Sequence, residues 1–408
     1  MCRLHVLLTA AVVSFVPAIT EGQLGWTCVT DSAPWPARYS YSAVAFDNKM
    51  WVLGGRDGLH DVWFSTDGGS WVMVTSSAPW SPRGAHAGAV FDNRMWVLGG
   101  DDGVNPMNDV WASSDGQSWN LVGGSAGWAA RMCHSALAFA NKLWIMGGYD
   151  GNNLRNDVWY STDGDSWVCA TDSAPWTPRN TNVVALADRM WVLGGWDGSY
   201  RNDVWSSPDG VNWDLVTDSA GWKPRGSHAS AVWAGGIWVL GGYADNPLND
   251  VWHSYYGNDW DIVNDSAPWQ PRMAHASLVF DDRLWVLGGT GFFPGGSDVW
   301  CTDRLGVEDS SNPAGLVADV PLAAFPNPFS AAATVRFSGR AGTRAFVSIH
   351  NTAGVEVRRL ILGASTPIGR YSCWDGKDDA GRSAPAGVYL LRLQTGDGEL
   401  CRKLVKLR

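Results

Sequence analysis

The sequence predicts an all-β chain: a six-bladed β-propeller followed by a small β-sandwich. Three observations lead there: a unit of about 47 residues recurs six times, tryptophan fills 27 of 408 positions, and glycine fills 48. Large flat rings suit half-buried pleated surfaces, and glycine supplies the tight turns that short strands need. With 45% apolar and 17% charged residues, the composition excludes a disordered chain and a membrane bundle. The net charge of −10 makes nucleic acid and anionic lipid unsuitable partners for the whole molecule.

Residues 1–22 read as an export leader. Arg3 precedes an apolar or small-residue run from Val6 to Ala18 that ends in Val16-Pro17-Ala18. This run is shorter than the roughly 20 residues that cross a bilayer, and no later segment approaches that length, so no transmembrane helix is expected in the mature chain. Losing Cys2 with the leader leaves Cys28, Cys133, Cys169, Cys301, Cys373 and Cys401, an even number for an oxidising compartment.

Residues 23–304 hold the repeat. Gly-Gly pairs begin at Gly54, Gly99, Gly147, Gly194, Gly241 and Gly288, in steps of 45, 48, 47, 47 and 47 residues. Copy four runs Met190 to Gly195, Asn202 to Trp205, Ser207 to Trp213 and Ser219 to Arg225. Four stations per copy account for 24 of the 27 tryptophans, leaving Trp196, Trp233 and Trp374. Short β-rich runs separated by Asp-Gly turns make each copy a four-stranded antiparallel sheet. Both its faces carry rings that need neighbours, and radial stacking of six sheets provides them.

The Gly-Gly pair, the Arg-x-x-His entry and the double-tryptophan outer strands resemble the kelch repeat family. Asp-Val-Trp in the third strand and the Ser-Ala-Pro-Trp insert depart from its usual pattern. Copy six stops at Asp298-Val299-Trp300-Cys301 without an outer strand. Trp26 lies nine residues before Trp35, as Trp71 lies nine before Trp80, so Trp26 to Thr30 is expected to complete blade six. If Thr66 opposes Trp71 in an intact copy, Phe64 opposes Met73. The equivalent stations are Cys301 and Cys28, which predicts a Cys28–Cys301 disulfide.

Residues 305–324 read as a linker and 325–408 as a second domain. Pro326-Asn327-Pro328-Phe329, two alternating runs, Trp374-Asp375-Gly376, Gly387-Val388-Tyr389 and a basic end form an Ig-like sandwich pattern. This stretch resembles the C-terminal sorting domain of the bacterial type IX secretion system, in its hook-capping Ig-like form. The resemblance implies contact with the secretion machinery and a destination outside a diderm bacterium, secreted or on its outer membrane. The positions it carries are Pro326, Asn327, Pro328, Phe329, Gly387 and Tyr389. Read without it, the module is an Ig-like spacer.

Candidate binding residues gather on one face, where loops between blades meet loops between second and third strands. The first set brings Arg38, Arg83, Arg131, Arg179, Arg225 and Arg272, followed three residues later by Tyr41, His86, His134, Asn182, His228 and His275. Guanidinium forks suit an anionic ligand, whereas sixfold repetition favours one structural task per blade, such as pairing with the Asp of Asp-Val-Trp. Four histidines placed one per blade lack the spacing of a metal site, and no cofactor motif is present. The second set brings Tyr149, Trp196, Tyr243, Phe292 and Phe293, which differ between blades and suit stacking on sugars or clamping peptides. Packing over the blade ends is the competing use. The adjoining Asp-Gly pairs read as turns rather than calcium ligands.

Residues 23–307 contain no glutamate. The sequence therefore points to a non-catalytic propeller that binds glycan or extracellular protein. The alternative is a secreted carbohydrate-active enzyme, sialidase- or epimerase-like, using Asp and the arginine ring.

Overall fold

The structure is a computed structural model that describes residues 24–292, 296–303, 322–325, 333–337, 346–351, 355–361, 370–379, 381–395 and 398–406. The leader, Phe293, Pro326, Asn327, Pro328 and Phe329 lie outside the described residues.

Six sheets of four antiparallel strands form the first unit. In blade one, Ser42–Phe46, Lys49–Gly55, Leu59–Ser65 and Trp71–Thr75 pair in chain order. The inner strands Ser42–Phe46, Ala87–Phe91, Ser135–Phe139, Val183–Leu186, Ala229–Trp233 and Ala276–Phe280 touch one another in sequence, and the last touches the first. The ring closes as expected, because Trp26–Thr30 pairs with Gly296–Thr302 as the fourth strand of blade six.

Tryptophan explains why neighbouring blades adhere. Ser161 Oγ accepts the N–H groups of Asp163 and Gly164, and Asp163 accepts those of Asp165 and Ser166, which closes a tight turn between third and fourth strands. Gly164 then lies flat on the Trp96 ring of the preceding blade. Gly68, Gly116, Gly210 and Gly257 sit in the same way on Trp285, Trp51, Trp144 and Trp191. Among the described residues blade six has no such turn to meet Trp238. There Trp233, which stands where other blades have Phe or Leu, packs on Trp238 at 5.1 Å between ring centroids.

A Cβ at Gly164 would approach Trp96 to 2.1 Å, at a φ of +84°. Gly164→Ala should therefore cost on the order of 3 kcal/mol of stability. Gly58→Ala, at φ +82° with nothing within 4 Å, should lose only the backbone part, about 1 kcal/mol. Paired urea denaturation of the two variants measures the difference.

The turn also corrects the expected disulfide. Ser65, not Thr66, opposes Trp71, so Trp63 opposes Met73 and the whole ladder shifts by one residue. In blade six Thr27 faces Cys301 and Cys28 faces Trp300. A one-residue shift reverses the side of the sheet: Cys301 is buried, Cys28 is exposed, and both are free thiols, as are Cys133 and Cys169.

The second unit has a three-stranded sheet of Leu322–Phe325, Ala333–Phe337 and Arg370–Trp374. Its four-stranded sheet orders Glu356–Ile361, Phe346–Asn351, Gly387–Thr395 and Gly398–Lys406. Its first strand begins at Leu322, inside the segment read from sequence as linker. Val335, Val347, Trp374, Tyr389 and Leu391 share one core, with the Trp374 and Tyr389 rings 4.9 Å apart. The Tyr389 hydroxyl donates to the Pro385 carbonyl at 2.6 Å, and Gly387 opens the following strand. Cys373 and Cys401 fall in strands of different sheets.

Candidate functional site

The loop face is built from the entry to each inner strand. Each Gly-Gly pair there takes positive φ, as at Gly99 (+53°) and Gly100 (+97°), because the strand must bulge against the loop of the next blade. A Cβ on Gly100 would meet the Gly84 carbonyl and the His86 Cβ, each at 2.7 Å.

The repeated arginines serve this junction. Arg131 donates from Nε to the Ala129 carbonyl at 3.0 Å and from Nη1 to the Gly147 carbonyl at 2.9 Å. Its fork holds both Asp157 oxygens at 2.7 Å, while the Trp159 indole N–H adds a bond to the same carboxylate. Arg38, Arg83, Arg179, Arg225 and Arg272 pair likewise with Asp61, Asp109, Asp203, Asp250 and Asp298. Burial raises the Asp157 carboxyl, but the bonds and charge of Arg131 outweigh it, and the carboxyl titrates below its ordinary value. Arg83, Arg131, Arg179, Arg225 and Arg272 are thus buried structural groups rather than ligand contacts, which corrects the anion-site expectation. The arginine ring that the catalytic alternative invoked is engaged in the same pairs.

His86, His134, His228 and His275 are also buried, each ring against the tryptophan of its loop: Trp80, Trp128, Trp222 and Trp269. Among the described residues neither nitrogen of any of the four has a hydrogen-bond partner of ordinary geometry, although the main chain of Leu53, Leu98 and Leu193 favours the protonated rings of His86, His134 and His228. Burial first, then the adjacent arginine, holds His86, His134 and His228 down at about 3, and His275 well below its ordinary value. These four are not exposed ligand contacts either. In blade one Tyr41 occupies the station and donates to the Leu287 carbonyl at 2.6 Å. In blade four Thr181, not Asn182, fills it and donates to the Met146 carbonyl at 2.9 Å.

The variable loops are different. Trp196 is 39% exposed and Phe292 66%, so both offer rings to solvent. Tyr243 is half-buried with its ring 5.8 Å from that of Tyr200, a partner the sequence reading missed although Tyr200 lies four residues beyond Trp196. Tyr149 is held down by donating to the Gly151 carbonyl at 2.8 Å. Trp196 packs over Gly226, whose Cβ position lies 3.4 Å from both Trp196 and Tyr200. The structure thus joins Trp196, Tyr200 and Tyr243 into one patch across blades four and five, and leaves Tyr149 and Phe292 apart from it. Phe292 lines a separate cleft of about 250 Å³ with Pro271, Thr290 and Trp300. A larger cleft, about 530 Å³, opens at the opposite end of the ring between turns carrying Asp47, Asn48 and Asp281.

The Asp-Gly pairs of these loops are turns, as expected. Asp102 and Asp150 each accept two backbone N–H groups of their own loop. Three ion pairs, Arg56–Asp101, Arg155–Asp150 and Arg201–Asp197, brace the same face and were not foreseen from spacing.

Comparison with known proteins agrees with this architecture. No curated protein matches the chain. A solved structure titled "Structure of YjhT" superposes with a TM-score of 0.58 at 16% identity, covering 69% of this chain and 98% of that one, a likeness of fold alone. The FlgD Ig-like domain matches residues 330–399. The KLHDC2/KLHL20/DRC7 Kelch-repeats domain matches residues 62–213 and 116–289, together more than half of the chain. The protein belongs to the Kelch-repeat family.

Proposed function

We propose that the propeller is a non-catalytic binding module that takes an extracellular protein or glycan on its loop face, and that the C-terminal module directs its export. In this reading the leader is removed, and the secretion machinery recognises the module through Pro326 to Phe329 and the Gly387 to Tyr389 strand. The chain is then secreted or held at the outer surface of a diderm bacterium. One observation carries the binding role: side chains repeated from blade to blade are buried in junctions, whereas Trp196 and Phe292, which vary between blades, present exposed aromatic rings. Residues that repeat answer to the fold, and exposed variation at loop tips is where recognition resides.

Trp196→Ala in the full-length chain should weaken a ligand retained on glycan or protein arrays by roughly tenfold or more. Its melting temperature should stay near that of the parent, because the ring is exposed. Unchanged affinity for every retained ligand would move the site off this patch.

A further inference from the structure

Blade four lacks one loop residue, and the loss opens a backbone circuit. Two residues after the loop arginine, Ser40, Ala85, Cys133, Ser227 and Ala274 each turn left-handed, with φ between 51° and 53°. Their main chains form a belt around the loop-face mouth of the ring. Ser40 N–H donates to the Ala274 carbonyl (2.9 Å), Ala85 to Ser40 (2.7 Å), Cys133 to Ala85 (2.9 Å) and Ala274 to Ser227 (2.8 Å).

The arginine and the Gly carbonyl it holds are 16 residues apart in five blades but 15 in blade four. Asn180 pairs with Trp196 as Gly84 pairs with Asp101, and Thr181 already stands at the imidazole station. The residue missing between them is the left-handed one. Among the described residues, the Cys133 carbonyl and the Ser227 N–H therefore have no protein partner across the gap. In the shortened loop Asn180 Oδ1 is also buried without a partner.

We infer that this gap is a docking site for a peptide segment of a partner protein, which seats one residue where blade four has none. The inference rests on the binding-module reading and names its ligand. The gap needs an N–H for Cys133 and a C=O for Ser227, separated by one tetrahedral carbon and bent to positive φ. That is the geometry of an amino-acid residue, and glycine or asparagine adopts it with least strain. The five other blades fill this station with an amino-acid residue, whose N–H and C=O a peptide reproduces in the same order, whereas sugar hydroxyls offer only freely rotating O–H groups. Trp196 and Tyr200, packed over Gly226 next to Ser227, supply the wall for flanking side chains.

The test pans the full-length chain against a phage-displayed library of random linear peptides and measures the enriched peptides on two proteins. One is the parent; the other has a glycine inserted between Asn180 and Thr181, which restores the residue count and closes the belt. The expected result is a shared Gly or Asn in the enriched set, with binding weakened roughly tenfold or more by the insertion. Hydrogen exchange at the Ser227 amide should slow when peptide binds the parent, a readout that stands even if the inserted variant does not fold. Peptides that lose affinity in Trp196→Ala but leave the insertion variant and Ser227 exchange unaffected overturn the gap while sparing the binding module. Retention of glycans without any peptide does the same. Retention of no peptide, glycan or protein overturns both.

Discussion

Arg131→Gln should destabilise the propeller by on the order of 3–5 kcal/mol, the range for removing one partner of a buried ion pair. The Arg131 side chain is fully buried, and its loss strands the Asp157 carboxylate and the Gly147 carbonyl together. Glutamine carries no charge and cannot reproduce the fork. Arg94→Gln is the comparison, because Arg94 also pairs with an aspartate, Asp92, but the two side chains are 35% and 66% exposed. It should cost less than about 1 kcal/mol. Urea midpoints for the two variants decide the matter: equal values would mean that the ring arginines do not lock the blades, and would return them to consideration as ligand contacts.

The second large effect is acid lability. The native state keeps His86, His134 and His228 neutral down to about pH 3, His253 to about 4, and His275 well below its ordinary value, chiefly through burial. Unfolded imidazoles titrate near 6.5. Between these values the unfolded chain binds more protons than the native one, so stability rises with pH across the window and is lost as pH falls below about 6.5. Each buried imidazole contributes a slope of about 1.4 kcal/mol per pH unit. Melting temperature should be flat from pH 8 to 7 and fall steeply towards pH 4.5. His134→Gln should flatten that fall by its own share. A parent melting temperature unchanged from pH 8 to 4.5 would contradict the buried neutral ring.

The blade count, the strand content and the closure by Trp26–Thr30 were legible because each depends on a pattern that six copies repeat. The tryptophan stations were legible for the same reason, and each has its own contact in the structure. Cys28 and Cys301 show where such reading stops. Their register depended on whether Ser65 or Thr66 ends the third strand, and the hydroxyl of Ser65 decides it by accepting the turn N–H groups. Spacing along the chain does not record that bond. The shortened loop of blade four was readable as 15 residues between Arg179 and Gly194, but its meaning was not, since the belt it interrupts joins residues more than 40 positions apart.

Sequence alone determined that this chain is six tryptophan-bearing sheets and a small sandwich, because apolar periodicity and turn residues act locally and recur. Only the tertiary structure decided which polar groups are spent inside and which remain to meet a partner. Arginine and histidine on the loop face look available until Asp157 and its equivalents clamp the arginines and the loop tryptophans cover the histidines. Trp196 and the Gly226–Ser227 turn become neighbours only when blades four and five are set side by side.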